Sequence, residues 1–244
     1  MSKVRQHIPP QRWSTRIPLE QDELHRLLQV LRFKAGAELE IVDGQGRVAR
    51  ASLQRDGLGS FELQLEDSER RELDLPEVTL VVALLKGRKL DDVVRQCTEL
   101  GVTTILPVMC SRSVARPEGV RAEKRQERWR SIAAEAARQS GRVVLPQVER
   151  ILDWDAFLGW LRAGGAEQAG VVFHEKAPKA PVSALWSPGA DRRLVATGPE
   201  GGFSEEEVEA LCAMGLRLGW LGPTVLRAET AAVVACALAV LTGD

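Results

Sequence analysis

The sequence predicts an α/β protein with a mainly parallel sheet, preceded by a smaller β-rich unit. Three observations carry this. After about residue 72, short continuous apolar runs alternate with helical stretches, the rhythm of parallel strands covered on both faces. Before that point, apolar and polar residues alternate singly between glycine turns, as in half-buried antiparallel strands. The polar stretch Glu69-Arg70-Arg71-Glu72, followed by Pro76, separates the two rhythms. The predicted domains are therefore 1–72 and 73–244.

The elements follow in order. A helix is predicted over 20–31, where Leu24, Leu27, Leu28 and Leu31 share one face. Residues 38–43 alternate and end in the turn Gly44-Gln45-Gly46. Residues 47–53 form the partner strand, and 60–65 a third. In the second domain, 78–85 is a buried strand and 91–100 a helix stopped by Gly101. A strand at 103–108 and a long helix at 123–140 come next. Residues 169–173, 193–197 and 216–221 are further strands, with helices after Asp153 and Ser204. Ala163-Gly164-Gly165-Ala166 reads as a loop. The last helix, 230–241, is apolar almost all round, so it is buried against its own core or against a second subunit.

Bulk properties narrow the class. The 244 residues are 44% hydrophobic and 27% charged, an ordinary globular mix. No secretory h-region opens the chain, and no apolar run reaches the roughly 20 residues of a membrane span. Cys97, Cys110, Cys212 and Cys236 are dispersed, without a CxxC pair. They read as small hydrophobes in a reducing compartment, which predicts a cytoplasmic protein without a metal site. The net charge of −1 conceals basic blocks over 1–55 and 83–142 and acidic ones over 56–82 and 143–244. The basic blocks fit either a polyanion partner or solvated helix faces.

The segment Gly198-Pro199-Glu200-Gly201-Gly202 joins a strand ending at Thr197 to a helix starting at Ser204. Ser204 and Glu207 form a capping box. The turn is neither a Walker loop nor a dinucleotide fingerprint. Glu205, Glu206 and Glu207 fill the first helical turn and repel phosphate from the positive end of the helix dipole. Two readings stand: a helix-capping turn, or one wall of a site for a phosphate-free ligand. S-adenosylmethionine fits the second, having an adenine, a ribose and a sulfonium. A second glycine-proline turn, Leu221-Gly222-Pro223-Thr224-Val225-Leu226-Arg227, also follows a strand and opens a helix. Two such turns at neighbouring strand ends make one pocket beyond the carboxyl edge of the sheet.

The pair GPEGGFSEEE and LGPTVLRAETA resembles the SPOUT superfamily of methyltransferases. More specifically it resembles the small-subunit ribosomal RNA methyltransferase E family, which methylates a uridine of 16S ribosomal RNA at N3. Leu85-Lys86-Gly87-Arg88-Lys89, the run Gln96 to Val102, the run Glu135 to Arg142 with Pro146, Val30-Leu31-Arg32 and Val42-Asp43-Gly44 extend the resemblance over nearly the whole chain. It implies an N-terminal PUA-like β-barrel and a C-terminal α/β domain with a deep trefoil knot, an exception to ordinary chain topology. It also implies S-adenosylmethionine as cofactor, 16S ribosomal RNA of the small ribosomal subunit as partner, and a homodimer packed through the knot. The family's opening Pro-Arg-aromatic motif is replaced here by Lys3-Val4-Arg5-Gln6-His7, where Arg5 is the matching arginine.

Roles follow. Methyl transfer from a sulfonium is an in-line displacement that needs positioning. Loss of the uracil N3 proton leaves charge on the ring oxygens, which a cation stabilises. Arg5 and Arg227 are the candidates; Arg227 otherwise caps a strand end or pairs with Glu229. Thr197, Gly198, Gly201, Leu221, Gly222 and Leu226 offer backbone groups to the cofactor, and Gly202 permits close approach. Glu200 accepts from a ribose hydroxyl or is a solvated turn residue. Arg227 a second time, Thr230, and His174 at another strand end complete the cofactor set. Lys86, Arg88, Lys89, Arg112, Arg138 and Arg142 are the candidate phosphate contacts to RNA. With no tyrosine and 5% aromatics, a base-stacking platform is not evident. The rivals are methylation of another base or of a ribose 2′-hydroxyl, and a non-catalytic RNA-binding protein.

Overall fold

The structure is a computed structural model that describes residues 4–57, 59–71, 75–164, 169–181, 184–186 and 189–242. Its contacts divide into two units: Met1–Leu73 with Ala137–Leu145, and Asp74–Ala136 with Pro146–Asp244.

The first unit holds β1 (Arg5–His7), β2 (Arg16–Pro18), β3 (Glu38–Val42), β4 (Arg47–Arg55) and β5 (Phe61–Arg70), in the order β1-β3-β4-β5-β2. The meander β3-β4-β5 is antiparallel, as its alternation predicts. β1 adds parallel to β3, and β2 antiparallel to β5. Three residues each are too few to show a period, which is why the sequence did not reveal these two edges. Ile8, Ile17, Ile41, Leu53 and Leu63 form the core. β5 outruns its apolar part. Glu69 and Arg70, read from sequence as interdomain junction, continue the ladder by pairing with Val48 and Arg47. Glu72 lies outside the described residues.

The expected helix at 20–31 is not one helix. α1 (Gln21–His25) starts with a reciprocal capping box between Glu20 and Glu23. The chain then widens into a π-type turn, Arg26–Val30. Its extra residue turns Leu27 into the core while Val30 stays 64% exposed. Arg32 follows with φ 53°, a left-handed backbone that a non-glycine residue rarely adopts.

A second difference concerns the domain boundary. Residues 137–145, expected in the second domain, belong to the first unit. Gly46 N–H donates to the Val143 carbonyl at 3.2 Å, and Leu145 N–H to the Gly44 carbonyl at 2.8 Å. Val143 packs with Val42 and Val48. Backbone pairing of this kind leaves no mark in apolar periodicity.

The second unit is a sheet of β6 (Glu77–Ala83), β7 (Thr104–Val108), β8 (Gln147–Val148), β9 (Ala169–Phe173), β10 (Arg192–Thr197) and β11 (Arg217–Gly219). The order is β11-β9-β10-β6-β7-β8, with every pairing parallel. The helices are α2 (Lys89–Leu100), α3 (Val120–Ser140), α4 (Trp154–Arg162), α5 (Glu205–Ala213) and α6 (Ala228–Leu241). Alternate residues of β6 serve two separate cores. Val78, Leu80 and Val82 join Val93, Cys97, Ala232 and Cys236. Val81 and Ala83 join Leu106, Phe157, Leu161 and Leu211 on the other face. That explains the uninterrupted apolar run. α6 buries Ala232, Ala235, Cys236 and Ala239, small residues that let it lie close to β10 and α2.

Local signals explain the helix ends. Gly101 closes α2 at φ 117°, and Asp153 accepts the Ala156 N–H at 2.8 Å to start α4. Of the expected loop 163–166, Ala163 and Gly164 form a turn, while Gly165 and Ala166 lie outside the described residues. All four cysteines are free. Among the described residues no cluster of three metal-ligand side chains occurs, and no helix is long and apolar enough to cross a membrane.

Phe157 is fully buried, with its ring 5.5 Å edge-on from Trp154 and 6.4 Å from Trp160. Phe157→Ala is expected to lower unfolding free energy by about 3–5 kcal/mol in urea titration. A loss under about 1 kcal/mol would mean that this face of the sheet is loosely packed.

Candidate functional site

The site is set by register. Thr197 of β10 pairs with Phe173 of β9, and Phe173 pairs with Gly219 of β11. Three adjacent parallel strands therefore end in one row. The chain leaves them as the turns beginning at Gly198, His174 and Trp220. All three turns line one cleft beyond the carboxyl edge of the sheet. Gly219 makes the row possible, because a Cβ there would lie 2.5 Å from Val171 Cγ1 and 2.7 Å from the Phe173 ring. The Gly219 carbonyl then accepts the His174 N–H at 3.1 Å.

The turn after β10 is tightly folded. Gly202 N–H donates to the Pro199 carbonyl at 2.8 Å, and Gly202 has φ 69°. A Cβ on Gly198 would lie 2.7 Å from the Phe203 nitrogen. Gly198 and Gly202 are thus required by backbone geometry. Gly201 is not: its φ is unremarkable, and a Cβ there would meet only the Arg112 side chain at 3.4 Å. In the second turn Gly222 has φ 124° with open space around it.

The capping box is present. Ser204 Oγ accepts the Glu207 N–H at 3.2 Å, and Glu207 Oε2 accepts the Ser204 N–H at 2.8 Å. Glu207 also accepts the Ser111 N–H at 2.7 Å through Oε1. It therefore fastens the chain after β7 to the start of α5. Arg112 reinforces this link by donating to the Gly201 carbonyl at 2.8 Å.

Eight of the expected cofactor residues line the cleft: His174, Thr197, Gly198, Glu200, Gly202, Leu221, Gly222 and Leu226. Gly201, Arg227 and Thr230 do not. Glu175, Phe203, Trp220 and Val225 line it as well. Trp220 falls inside the strand expected at 216–221 and so gave no sign of lining a turn; Lys179 Nζ lies 5.5 Å from its ring centre. Arg227 is exposed at the start of α6. Glu229 takes Lys89 as its partner at 3.3 Å, so the alternative Arg227–Glu229 pair does not form.

Two features define what the cleft can hold. Among the described residues its lining includes Glu175 and Glu200 but no lysine or arginine. Thr197 Oγ1 is buried there without a hydrogen-bond partner. A phosphate would meet two carboxylates and no cation among the lining side chains, whereas a cationic, phosphate-free ligand with hydrogen-bonding edges suits the wall.

Several expected phosphate contacts are engaged elsewhere. Lys89 Nζ lies between Glu200 at 3.1 Å and Glu229 at 3.3 Å. Arg112 holds the glycine turn. Arg142 is only 7% exposed, and burial pushes its guanidinium down to about 10, so it is not an open surface contact. Arg138 is half-buried, and Lys86 and Arg88 are exposed. Arg5 donates through Nε to Glu40, which also binds Arg71 at 2.9 Å. Its guanidinium is held within an ion-pair cluster of the first unit.

Residues 71–240 match the RNA methyltransferase domain family, and 19–66 the RNA methyltransferase PUA domain. Fold, cleft and these matches together define an RNA methyltransferase. A ribosomal RNA small subunit methyltransferase E from Synechocystis is 36% identical over 94% of this chain and 74% of its own length. The Bacillus subtilis protein of that name is 33% identical over 88% and 85%. The chain belongs to the ribosomal RNA small subunit methyltransferase E family. Among solved structures, a Neisseria gonorrhoeae family member bound to S-adenosyl methionine is 28% identical, with TM-score 0.81 over 97% of this chain and 96% of its own. A Legionella pneumophila methyltransferase with bound cofactor SAM is 25% identical, with TM-score 0.82 over 98% and 97%.

Burial opposes ionisation of Glu200. Its hydrogen bonds, from its own backbone, from Lys86 N–H and from Lys89, nevertheless hold the carboxyl below its ordinary value of 4.5. A depressed folded value means that this stabilisation is complete above the ordinary value and is lost as pH falls through the depressed one. Glu200→Gln is therefore expected to flatten the acid limb of the melting-temperature profile below about pH 4.5. An unchanged acid limb would show that the Lys86–Lys89 contacts contribute nothing in solution.

Proposed function

We propose that this protein transfers a methyl group from S-adenosylmethionine to N3 of a uridine in 16S ribosomal RNA of the small ribosomal subunit. The observation that carries the cofactor reading is a cleft with two carboxylates, a buried unpartnered threonine hydroxyl and no basic side chain. Family membership supplies the substrate reading. The cofactor, when bound, supplies a methyl group made electrophilic by the adjacent sulfonium.

The chain's own residues then bind and orient. Backbone groups of Gly198, Leu221, Gly222 and Leu226 are suited to an adenine edge, and Thr197 Oγ1 to one further polar group. Lys89 neutralises Glu200 at the cleft wall, leaving Glu175 as the carboxylate whose charge can favour a cation. Arg227, exposed between the lining residues Leu226 and Ala228, is our candidate to stabilise charge developing on the uracil oxygens. We assign it that role in preference to Arg5, which Glu40 holds.

The finer architecture belongs to the same proposal: a PUA-like barrel in the first unit, a trefoil knot in the second, and a homodimer formed through the knot. Half-buried Val233, Val234 and Leu238 on α6, with Leu241 73% exposed, offer an apolar face for a second copy. A cytoplasmic site of action accords with the ribosomal substrate.

The decisive test is mass spectrometry of 16S ribosomal RNA from a strain lacking the gene. The N3-methyluridine signal is expected to vanish and to return on complementation; an unchanged signal rejects the uracil reading. Calorimetry tests the cleft. Gly198→Val is expected to weaken S-adenosylmethionine binding at least about tenfold with the circular dichroism unchanged, because its side chain displaces the Phe203 backbone. Gly201→Ala is expected to bind normally. Arg227→Ala is expected to keep cofactor affinity and lose about 10²-fold in kcat. Equal effects of both glycine variants, or an unchanged kcat for Arg227→Ala, would contradict these assignments.

A further inference from the structure

The chain between β7 and α3 contributes no residue to the lining of the cleft at the strand ends, yet it is fastened to the glycine turn that forms one wall. Arg112 packs along Gly201, where a Cβ would meet its Cδ at 3.4 Å and its Cβ at 3.5 Å. Its Nη1 donates to the Gly201 carbonyl at 2.8 Å and to the Phe203 carbonyl at 3.4 Å. Glu207, only 5% exposed, accepts the Ser111 N–H at 2.7 Å through one oxygen and the Ser204 N–H at 2.8 Å through the other. Arg116 donates to the Cys110 and Ser111 carbonyls at 3.2 Å and 3.1 Å, which holds the backbone next to Arg112.

A peptide group is clamped when its carbonyl and its N–H are both held. The peptide joining Gly201 to Gly202 is clamped: its carbonyl takes Arg112, and its N–H donates to the Pro199 carbonyl at 2.8 Å. The peptide joining Phe203 to Ser204 is clamped as well, by Arg112 on its carbonyl and Glu207 on its N–H. Between them lies the peptide joining Gly202 to Phe203, and both of these residues line the cleft. Among the described residues neither its carbonyl nor its N–H has a hydrogen-bond partner. Gly198 closes on it from behind, since a Cβ there would lie 2.7 Å from the Phe203 nitrogen and 3.0 Å from the Gly202 carbonyl carbon. The open peptide is thus placed by its neighbours and not by bonds of its own. Arg112 is the one side chain that serves both clamps, so its removal loosens both without taking an atom from the cleft wall.

We infer that Arg112 is a positioning residue for cofactor binding, which holds the Gly202–Phe203 peptide at the cleft, and that it is not a contact for an RNA phosphate. Its donors are spent on two carbonyls, and its charge lies near Glu205 and Glu206 of the first turn of α5. Arg112 acts through the turn alone and touches no reacting atom. The inference rests on the reading of the cleft as the S-adenosylmethionine site.

The test combines calorimetry of S-adenosylmethionine with the full-length protein, filter binding of 16S ribosomal RNA over a range of salt concentrations, and steady-state methylation at varied cofactor. Arg112→Ala removes both donations; Arg112→Lys keeps the charge on a shorter side chain without the planar fork. Both are expected to weaken cofactor affinity about fivefold and to raise the cofactor KM by the same factor, with the circular dichroism unchanged. The value of kcat at saturating cofactor and the RNA affinity are expected to stay within about twofold, and the salt slope of RNA binding to stay as in the wild type. Cofactor affinity unchanged in both variants would overturn the inference. A salt slope lower by about one and weaker RNA binding, with cofactor affinity intact, would also overturn it by making Arg112 a phosphate contact. A fall in kcat with KM unchanged would do the same by placing Arg112 at the reacting atoms. A wild type that binds no S-adenosylmethionine would refute the reading of the cleft and the inference with it, whereas a binding wild type with unweakened variants refutes the role of Arg112 alone.

Discussion

The cleft at the strand ends depends on the contact between the Phe173 ring and the backbone of Gly219. The ring occupies the space that any side chain at 219 would need, so β11 can lie against β9 only because it carries glycine there. That contact keeps Phe173 and Gly219 level, and the Thr197–Phe173 pairing brings β10 to the same row. Ligand recognition at the edge of a parallel sheet needs the strand ends to coincide. Here the coincidence comes from close packing and hydrogen-bond register within the sheet, before any side chain in the turns contributes.

Charge is partitioned within the protein. Among the described residues, the cleft at the strand ends has no basic side chain in its lining; Lys89 and Arg112 beside it are drawn into internal contacts, while Arg227 stays exposed. Lys89 bridges two carboxylates and Arg112 grips two carbonyls of the glycine turn, at Gly201 and Phe203.

How much of this was legible in the sequence depends on the kind of interaction. Helix ends were legible because they rest on local chemistry: Ser204 with Glu207, Asp153 before α4, and Gly101 after α2. The buried strands were legible because both faces of β6 are apolar. The pocket residues were legible as two glycine turns, although Gly201 and Gly198 look alike in sequence and differ only in what surrounds them. Three features were hidden. The π-type turn keeps the leucine spacing of a helix while altering which residues face inward. The segment 137–145 joins the first unit by backbone hydrogen bonds, which carry no residue preference. Arg142 reads as a surface cation, yet its charge is buried at a place that only the fold determines.

The doubly used carboxylate of Glu207 has an evolutionary consequence. It fixes Ser111 from one side, Arg112 fixes itself to Gly201, and Arg116 holds the Cys110 and Ser111 carbonyls. Residues 110–116 are thereby pinned at close intervals, whereas Pro117, Glu118 and Gly119 carry no comparable side-chain anchor in this network. Relatives that differ in length between β7 and α3 should accommodate the difference in those last three positions, since loop extension there adds only a small closure entropy. A length change before Arg116 would instead loosen the glycine turn from a distance, without altering any residue of the cleft itself.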